Sequence, residues 1–445
     1  MFLNKIFSFA QNITQNLYKN SLVLQNIDKL IFLSLALLIV SSIFMPSDSI
    51  GNFAFVMIFL TIIKLCTKPN ARLYFSSGDV FLIIYLLLVL ISVAGSSLFA
   101  LSLKGFCKTV LYIGFYFSFV DFIRANKRMI KYVFLLIALM AFVESGFAIM
   151  QNFMSVSEIS GWQDMSRLNP EEVMTRVYGT LKPFNPNLFG GYMLAIAPTT
   201  VVAFVLPFLN NHLKTSLTCV LVFVLTILSI ILTGCRGAYI GLFFELCFLA
   251  LIMFKFLKPK FRKLFATITA CLSTIILFLM LSITSVRARL ISIFAMRNDS
   301  SNSFRFNVYN SCVQMFKDNW ILGIGVGNQN FREIYGLYMK TGFDALSAYN
   351  IYLELAVESG IFALLAFVSM IITNLVKAVK YLKRRNNITS FYIAIAFVSL
   401  LGILIHGFVD TVFFRPQIQF IFWIMLGIIR VFTAKNQEKL LYDRR

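Results

Sequence analysis

Two apolar runs and the short polar break between them decide the fold class of this chain. Residues 215–257 read TSLTCVLVFVLTILSIILTGCRGAYIGLFFELCFLALIMFKFL. Each run is about as long as the roughly 20 apolar residues that cross a bilayer as a helix. The break carries Arg236 among small residues. The stretch therefore predicts two membrane-spanning helices that are joined by a tight, charged turn.

The composition places the rest of the chain in the same class. Of the 445 residues, 59% are hydrophobic and 13% are charged, whereas about a quarter are charged in soluble proteins. The mean hydropathy is +0.82. We predict an all-α polytopic membrane protein with about 12 transmembrane helices. The predicted spans are 30–45, 51–66, 80–100, 105–123, 131–154, 188–208, 215–234, 237–257, 264–285, 361–380, 389–409 and 417–434.

The basic residues predict the orientation. Most Lys and Arg residues fall in alternate gaps between the spans, which the positive-inside rule assigns to the cytoplasm. Both termini are then cytoplasmic. The net charge of +21 reflects this topology and an attraction to anionic lipids. It does not indicate a nucleic-acid partner, because the sequence contains no soluble basic domain.

Spans and gaps divide the chain into regions. We predict a cytoplasmic amphipathic N-terminal segment without a cleavable signal peptide (1–29), N-terminal transmembrane helices (30–154), an extracytoplasmic loop (155–187), a membrane domain (188–434) and a cytoplasmic tail (435–445). The membrane domain includes a second large extracytoplasmic loop, 286–348, which is too long to be a simple connector.

The second loop has helical patterns of its own. We predict a helix from Phe304 to Lys317 that is capped by Ser303, and another helix from Gln329 to Lys340. The glycine-rich segment 320–328 between them predicts a tight turn that dips into the membrane interface.

A smaller set of arginines lies in the gaps where the positive-inside rule makes cations scarce. They are Arg236, Arg287, Arg289, Arg297 and Arg305. An anionic ligand at the outer surface explains Arg236 and Arg305 best, because a guanidinium is a permanently charged fork that suits a diphosphate. The alternatives are that Arg236 snorkels to lipid phosphates and that Arg305 is a solvated loop charge. Arg287 and Arg289 directly follow a span, and we interpret them as headgroup contacts.

Two pairs of ionisable residues are spaced four apart. Glu354 and Glu358 share a helix face, so their like charges are costly unless arginines offset them or one is protonated. His406 and Asp410, followed by Arg415, either form a functional set within the membrane or lock helices together.

The remaining polar signals are weaker. Asn187 opens a span and is a candidate helix cap. The seven cysteines are scattered singly and show neither a disulfide framework nor metal-ligand spacing. We expect no metal and no cofactor.

Several motifs together resemble the O-antigen ligase and polymerase superfamily of bacterial membrane glycosyltransferases. They are Asn185-Pro186-Asn187-Leu188-Phe189, Cys235-Arg236-Gly237-Ala238, Arg305 ahead of Trp320-Ile321-Leu322-Gly323-Ile324-Gly325, and Ala348-Tyr349-Asn350-Ile351-Tyr352-Leu353 through Gly360. The resemblance runs from about residue 170 to 430. Further motifs resemble the branch often labelled inorganic carbon transporter B, or bicarbonate-transporter-like. These are Arg176-Val177-Tyr178-Gly179-Thr180-Leu181, Ser300 to Val308, Leu346 to Tyr349, His406-Gly407, Asp410-Thr411-Val412 and Arg415-Pro416.

The resemblance implies a multi-pass enzyme of the bacterial inner membrane. Such an enzyme moves a glycan from an undecaprenyl diphosphate carrier to a hydroxyl of a glycan or lipid acceptor, at the extracytoplasmic face and without metal. Arg236 and Arg305 would hold the diphosphate leaving group. The candidate catalytic residues are Arg236, Arg305, Tyr349, Glu354 and Glu358. The candidate substrate-binding residues are Asn187, Arg287, Arg289, Asn350, His406, Asp410 and Arg415.

One position departs from the family pattern. Ligases of this group carry a histidine as the proposed base where this chain has Tyr349, and a phenol with a pKa near 10 is a poor base at neutral pH. Either Glu354, Glu358 or His406 takes the proton, or the acceptor chemistry differs, or the protein is not a ligase.

The rival function is transport of a small anion such as bicarbonate. Transporters of this kind show paired repeats or broken helices around a midplane site, and the sequence shows no clear internal repeat. The midplane candidates Glu144 and Glu245 carry the wrong sign for an anion site unless they are protonated.

Overall fold

The computed structural model describes residues 2–154, 176–294 and 300–434. Within these ranges the chain is helical and contains no strand. The helices are α1 (Phe2–Asn20), α2 (Leu22–Gln25), α3 (Ile27–Phe44), α4 (Ser47–Thr67), α5 (Ser77–Ala94), α6 (Phe99–Ala125), α7 (Ile130–Phe153), α8 (Pro186–Leu209), α9 (Leu213–Leu232), α10 (Arg236–Phe256), α11 (Pro259–Ser282), α12 (Thr284–Ser292), α13 (Ser300–Asp318), α14 (Asn328–Tyr335), α15 (Ile351–Arg384), α16 (Ile388–His406) and α17 (Pro416–Thr433).

The all-α fold with about twelve spans is confirmed. Twelve helices in the described part of the chain, α3 to α11 and α15 to α17, are long and apolar enough to cross a membrane. Each corresponds to one predicted span. The local length and apolarity of the runs therefore suffice to find the spans. The orientation of the termini stays a prediction.

The centre of the bundle is formed by α8, α16 and α17. Of the most apolar part of α8, 89% is buried inside the molecule, compared with 22% for α9. α8 packs against α7, α9 and α16, whereas one face of α9 is exposed. A helix that is apolar all round suits either the core or lipid contact. Packing between helices, and not hydropathy, decides which spans are central.

The ends of three predicted elements need correction. Ser303 is not a cap, because α13 begins at Ser300 and encloses it. The helix predicted to reach Lys340 ends at Tyr335 and is followed by Gly336, a residue type that commonly terminates helices. The cap of α8 is Asn185 and not Asn187. Its side chain accepts hydrogen bonds from the backbone N–H groups of Asn187 and Leu188 at 2.8 and 3.2 Å. The helix starts here because Pro186 is pre-organised for the first helical position.

Some predictions fall outside the described residues. They concern most of the first extracytoplasmic loop (155–175), Arg297 within 295–299, and the tail 435–445.

α15 is bent at Gly360, and the bend is the feature of the fold that matters most for the site. Gly360 has φ 78° and ψ 172°, so the helix is interrupted less than one turn after Val357 and Glu358. Their carbonyl oxygens accept hydrogen bonds from the N–H groups of Ile324 and Gly325, both at 2.9 Å. The glycine-rich turn thus supplies the backbone partners that the interrupted helix lacks.

Only glycine fits on either side of this contact. A Cβ atom on Gly360 would lie 2.0 Å from the carbonyl oxygen of Ile321, and one on Gly323 would lie 2.4 Å from that of Glu358. The positive φ angles of both residues also favour glycine. The turn and the bend therefore form one rigid unit, which fixes the first part of α15.

Candidate active site

A cavity of about 740 Å³ lies between α6, the first part of α15 and the segments that precede α8 and α17. Half of the predicted site residues line it: Asn187, Tyr349, Glu354, Glu358, Asp410 and Arg415. Because these residues come from three separate regions of the chain, their convergence depends on the tertiary structure. The other predicted residues are not among the described residues that line the cavity.

The carboxyl groups of Glu354 and Glu358 on α15 are buried, and each accepts one hydrogen bond from a backbone N–H. Glu354 Oε2 accepts a hydrogen bond from the backbone N–H of Ala348 at 2.9 Å, and Glu358 Oε1 accepts one from Gly327 at 3.0 Å. Their side chains are 3% and 6% exposed. One oxygen of each carboxyl is thereby fixed, which leaves the other available to the cavity that both residues line.

Arg305 lies at the edge of the cavity, in the second turn of α13. Its Nη2 lies 3.4 Å from Asp410 Oδ2, and its guanidinium carbon lies 5.7 Å from the centre of the Tyr349 ring, within the range of a cation–π contact. Tyr349 and Asp410 both line the cavity. Arg305 therefore contacts two side chains that line the cavity, although it is not among the described lining residues itself.

Asp410 joins this end of the site to α8. Its Oδ1 accepts from the backbone N–H groups of Thr411 and Val412 at 2.7 and 3.2 Å, and its Oδ2 accepts from Asn187 Nδ2 at 3.3 Å. Asn187 in turn accepts a hydrogen bond from Arg176 Nη2 at 2.5 Å. Asn187 thus serves the polar network, although it does not cap the helix.

Arg176 is a second, partly buried arginine at this end, and in the sequence it stands out only as part of a motif. Its Nε donates to the carbonyl oxygen of Thr233 at 2.7 Å. Burial lowers the pKa of its guanidinium below the usual value. The carbonyl and amide partners hold the side chain against the turn between α9 and α10, which carries Arg236.

Arg236 connects three helices. It is the first residue of α10, and its Nη1 donates to the carbonyl oxygen and to Oγ of Ser292 at 3.2 Å each, while its Nη2 donates to Ser301 Oγ. Its side chain is buried. Because Ser301 lies one turn before Arg305 on α13, these bonds also fix the helix that carries Arg305.

His406 is enclosed by packed helices. Its Nε2 lies 3.6 Å from Cys235 Sγ. A Cβ atom on Gly191 or Gly237 would lie 2.9 or 2.5 Å from its ring, so α8 and α10 approach it closely. His406 is not among the described residues that line the cavity.

Three further predicted residues do not line the cavity: Asn350, Arg287 and Arg289. Asn350 caps α15, since its Oδ1 accepts from the N–H groups of Tyr352 and Leu353 at 2.9 and 3.0 Å and its Nδ2 donates to the carbonyl oxygen of Phe408 at 3.0 Å. Arg287 is exposed on α12 and lies 3.5 Å from the carbonyl oxygen of Leu281. Arg289, on the same helix, is partly buried.

The part of the chain that contains these groups also matches a known family. Residues 221–368 match the family model described as O-antigen ligase. The match covers Arg236, Arg305, Tyr349, Glu354 and Glu358, and it supports an O-antigen ligase-type membrane enzyme. It does not favour the transporter alternative, and it does not bear on the bicarbonate-transporter-like branch. The chain matches none of the curated proteins with which it was compared.

Tyr349 lies at the position where the resemblance led us to expect a histidine, and its phenol is partly enclosed. Burial, with a contribution from the Asp410 charge, raises the pKa of its phenol to about 12. The phenol is therefore protonated at neutral pH. Its backbone has φ 50°, which is uncommon outside glycine and is a conformation that occurs at functional sites.

Two cations of the cavity are absent from the predicted site. Lys104 and Lys108 lie one turn apart on α6, and both line the cavity. Their position near the predicted outer end of a span is itself an exception to the positive-inside rule, and this signal was available in the sequence. Among residues 2–154, 176–294 and 300–434, no group of three or more His, Cys, Asp or Glu side chains is placed to hold a metal ion.

Proposed function

We propose that this chain is a glycosyltransferase of the O-antigen ligase or polymerase type. It moves a glycan from a polyprenyl diphosphate, such as undecaprenyl diphosphate, to a hydroxyl of a glycan or lipid acceptor at the extracytoplasmic face of the bacterial inner membrane. The observation that carries the proposal is the pair Glu354 and Glu358 facing a cavity beside Arg305, within the range that matches the O-antigen ligase family.

The reaction needs a proton acceptor. The acceptor oxygen forms a bond to the anomeric carbon, the bond from that carbon to the diphosphate oxygen breaks, and the hydroxyl proton must leave. We assign this proton to Glu354 or Glu358, because both line the cavity and each has an oxygen that no backbone N–H holds. His406 is the less suitable base, since it is buried against Cys235.

The leaving diphosphate needs positive charge where its own charge develops. Arg305 supplies it, because its present contact with Asp410 at 3.4 Å is longer than a good charge-assisted hydrogen bond and leaves donors for an incoming phosphate. Preorganised cations of this kind stabilise the transition state more than the ground state. Arg236 adds a second positive charge and fixes α13 through Ser301. Arg287 and Arg289 contact headgroups of the carrier or of neighbouring lipids.

The test is a transfer assay with purified protein and the undecaprenyl-diphosphate glycans of its host. Wild type should release undecaprenyl diphosphate, and Arg305→Ala should lower the rate by about 100-fold or more. Arg332→Ala is the matched control. It removes an exposed arginine of α14, whose Nη2 lies 3.8 Å from Asp344 Oδ2 and which lies outside the cavity lining.

Two results would contradict the proposal. One is the absence of release from wild type that is folded and supplied with carrier and acceptor. The other is an Arg305→Ala variant as active as Arg332→Ala, which would remove Arg305 from the leaving-group site.

A further inference from the structure

The lysine pair of α6 is not explained by the transfer reaction. Lys104 and Lys108 are exposed and lie on the same face of the helix, four residues apart, where like charges destabilise each other. Lys108 Nζ is 3.7 Å from Asp48 Oδ1, and the two side chains are 60% and 94% exposed. A contact that long and that exposed contributes little. Lys104 forms no ion pair with any residue that the structure describes.

Backbone contacts place the lysine pair next to Glu358. A Cβ atom on Gly105 would lie 2.4 Å from the carbonyl oxygen of Val326, and one on Gly327 would lie 3.3 Å from Gly105 Cα. Gly327 is also the residue whose N–H donates to Glu358 Oε1 at 3.0 Å. α6 therefore touches the turn that holds Glu358.

Glu354, the other member of the carboxyl pair, lies on the Arg305 side. Glu354 is bonded to the N–H of Ala348, which precedes Tyr349, and the ring of Tyr349 lies beside the Arg305 guanidinium. Contacts thus run in order from Arg305 through Glu354 and Glu358 to the lysines. The two carboxyl groups stand between Arg305, which lies beside the cavity, and the lysine pair that lines it.

We infer that Lys104 and Lys108 form a second anion subsite, which binds a carboxylate or phosphate group of the acceptor. The inference rests on the proposed function, in which Arg305 takes the donor diphosphate and a carboxylate takes the acceptor proton. A group bound on the lysine side of the carboxylates then belongs to the acceptor. The substrate class that follows is an acidic acceptor, one that bears a uronate or a phosphate.

Equilibrium binding to the full-length protein in detergent tests the subsite without requiring turnover. The probes are methyl glucuronide and glycerol phosphate, with methyl glucoside as the neutral comparison. Wild type should bind both acidic probes more tightly than the neutral one, by about fivefold for two exposed cations. In Lys104→Gln/Lys108→Gln this preference should vanish, and in Lys104→Arg/Lys108→Arg it should persist.

The control variant is Lys317→Gln/Lys340→Gln. It makes the same change of charge at two exposed lysines that do not line the cavity, and it should keep the preference. The inference is overturned if wild type shows no preference for acidic probes, or if the α6 double variant retains it. A preference for glycerol phosphate alone would identify the acceptor group as a phosphate, and one for methyl glucuronide alone as a carboxylate.

Inorganic pyrophosphate distinguishes acceptor from donor. Its affinity should fall in Arg305→Ala and stay unchanged in the α6 double variant. A loss in the double variant as large as that in Arg305→Ala would assign the lysines to the donor diphosphate and overturn the acceptor subsite. These binding results are independent of the release of undecaprenyl diphosphate, so failure of the subsite and failure of the proposed function are distinguishable.

Discussion

At the scale of single residues, the site separates groups that the sequence presents as equivalent. Glu354 and Glu358 share a helix face and are both buried, yet one is held by Ala348 at the arginine end and the other by Gly327 at the lysine end. If the acceptor hydroxyl enters from the lysine end, Glu358 meets it first. Glu358 is then the better candidate for the base.

Glu358→Gln should lower transfer by about 100-fold or more, because a positioned base contributes about that factor. Gln keeps a carbonyl oxygen that accepts the Gly327 N–H, so the fold should be retained. Glu354→Gln is the matched variant, and its loss should be smaller. Initial rates of undecaprenyl diphosphate release measure both. A larger loss in Glu354→Gln than in Glu358→Gln would assign the role of the base to Glu354 instead.

Tyr349→Phe should keep transfer within about threefold of wild type and leave its pH profile unchanged. Because its pKa is raised to about 12, the phenol loses its proton only above the pH range of the assay, so no rise or fall between pH 6 and 9 comes from it. The ring that lies beside Arg305 is kept in Phe. Rates across that pH range provide the measurement. An alkaline rise present in wild type and absent in Tyr349→Phe would show that the phenolate acts as a base.

At the scale of elements, the bend of α15 builds the site. The spacing of Glu354 and Glu358 was correctly predicted to place them on one helix face, but the predicted span began only at residue 361. The structure extends the helix back to Ile351 and interrupts it at Gly360. This short first part of α15 is what brings both carboxyl groups to the cavity.

Gly360→Ala should destabilise the protein by about 1–3 kcal/mol or more, since a non-glycine residue is strained at that φ angle and its Cβ would lie 2.0 Å from the Ile321 carbonyl oxygen. Gly146→Ala, on α7, is the control, because no atom lies within 4 Å of its added Cβ. Thermal unfolding in detergent compares the two. Equal melting temperatures would mean that the turn and the bend are not a rigid unit.

At the scale of the whole molecule, the charged groups divide into two kinds. At one end of the bundle they form compact ion pairs: Arg430 Nη2 lies 2.7 Å from Asp79 Oδ2, and Lys64 Nζ lies 2.7 Å from Asp121 Oδ2. Around the cavity they are looser, as in the Arg305–Asp410 pair at 3.4 Å. Tight pairs hold helices together, whereas the looser groups remain able to exchange partners for a ligand.

The orientation predicted from the positive-inside rule has a direct test. Lys68→Cys, in the gap after α4, should react with a membrane-impermeant thiol reagent only after the cells are permeabilised. Arg332→Cys, at an exposed position of α14, should react in intact spheroplasts. Both variants are compared in a background without the native cysteines. The reverse pattern would place the cavity on the cytoplasmic side and rule out the proposed carrier chemistry.

The sequence by itself determined the fold class, the spans and most of the polar groups of the site. A span is a local property, because bilayer thickness sets its length and the cost of unpaired polar groups sets its composition. Ionisable residues are conspicuous against that apolar background, and this is why Glu354 and Glu358 stood out. Arg305 stood out because it lies in a loop where the positive-inside rule makes cations scarce.

Only the tertiary structure decided which of these groups meet. It placed Lys104 and Lys108 on the cavity wall and enclosed His406 between helices. It also set the bend at Gly360, which depends on the turn that packs against it. These outcomes depend on contacts between residues far apart in the chain, and hydropathy and spacing carry no information about such contacts.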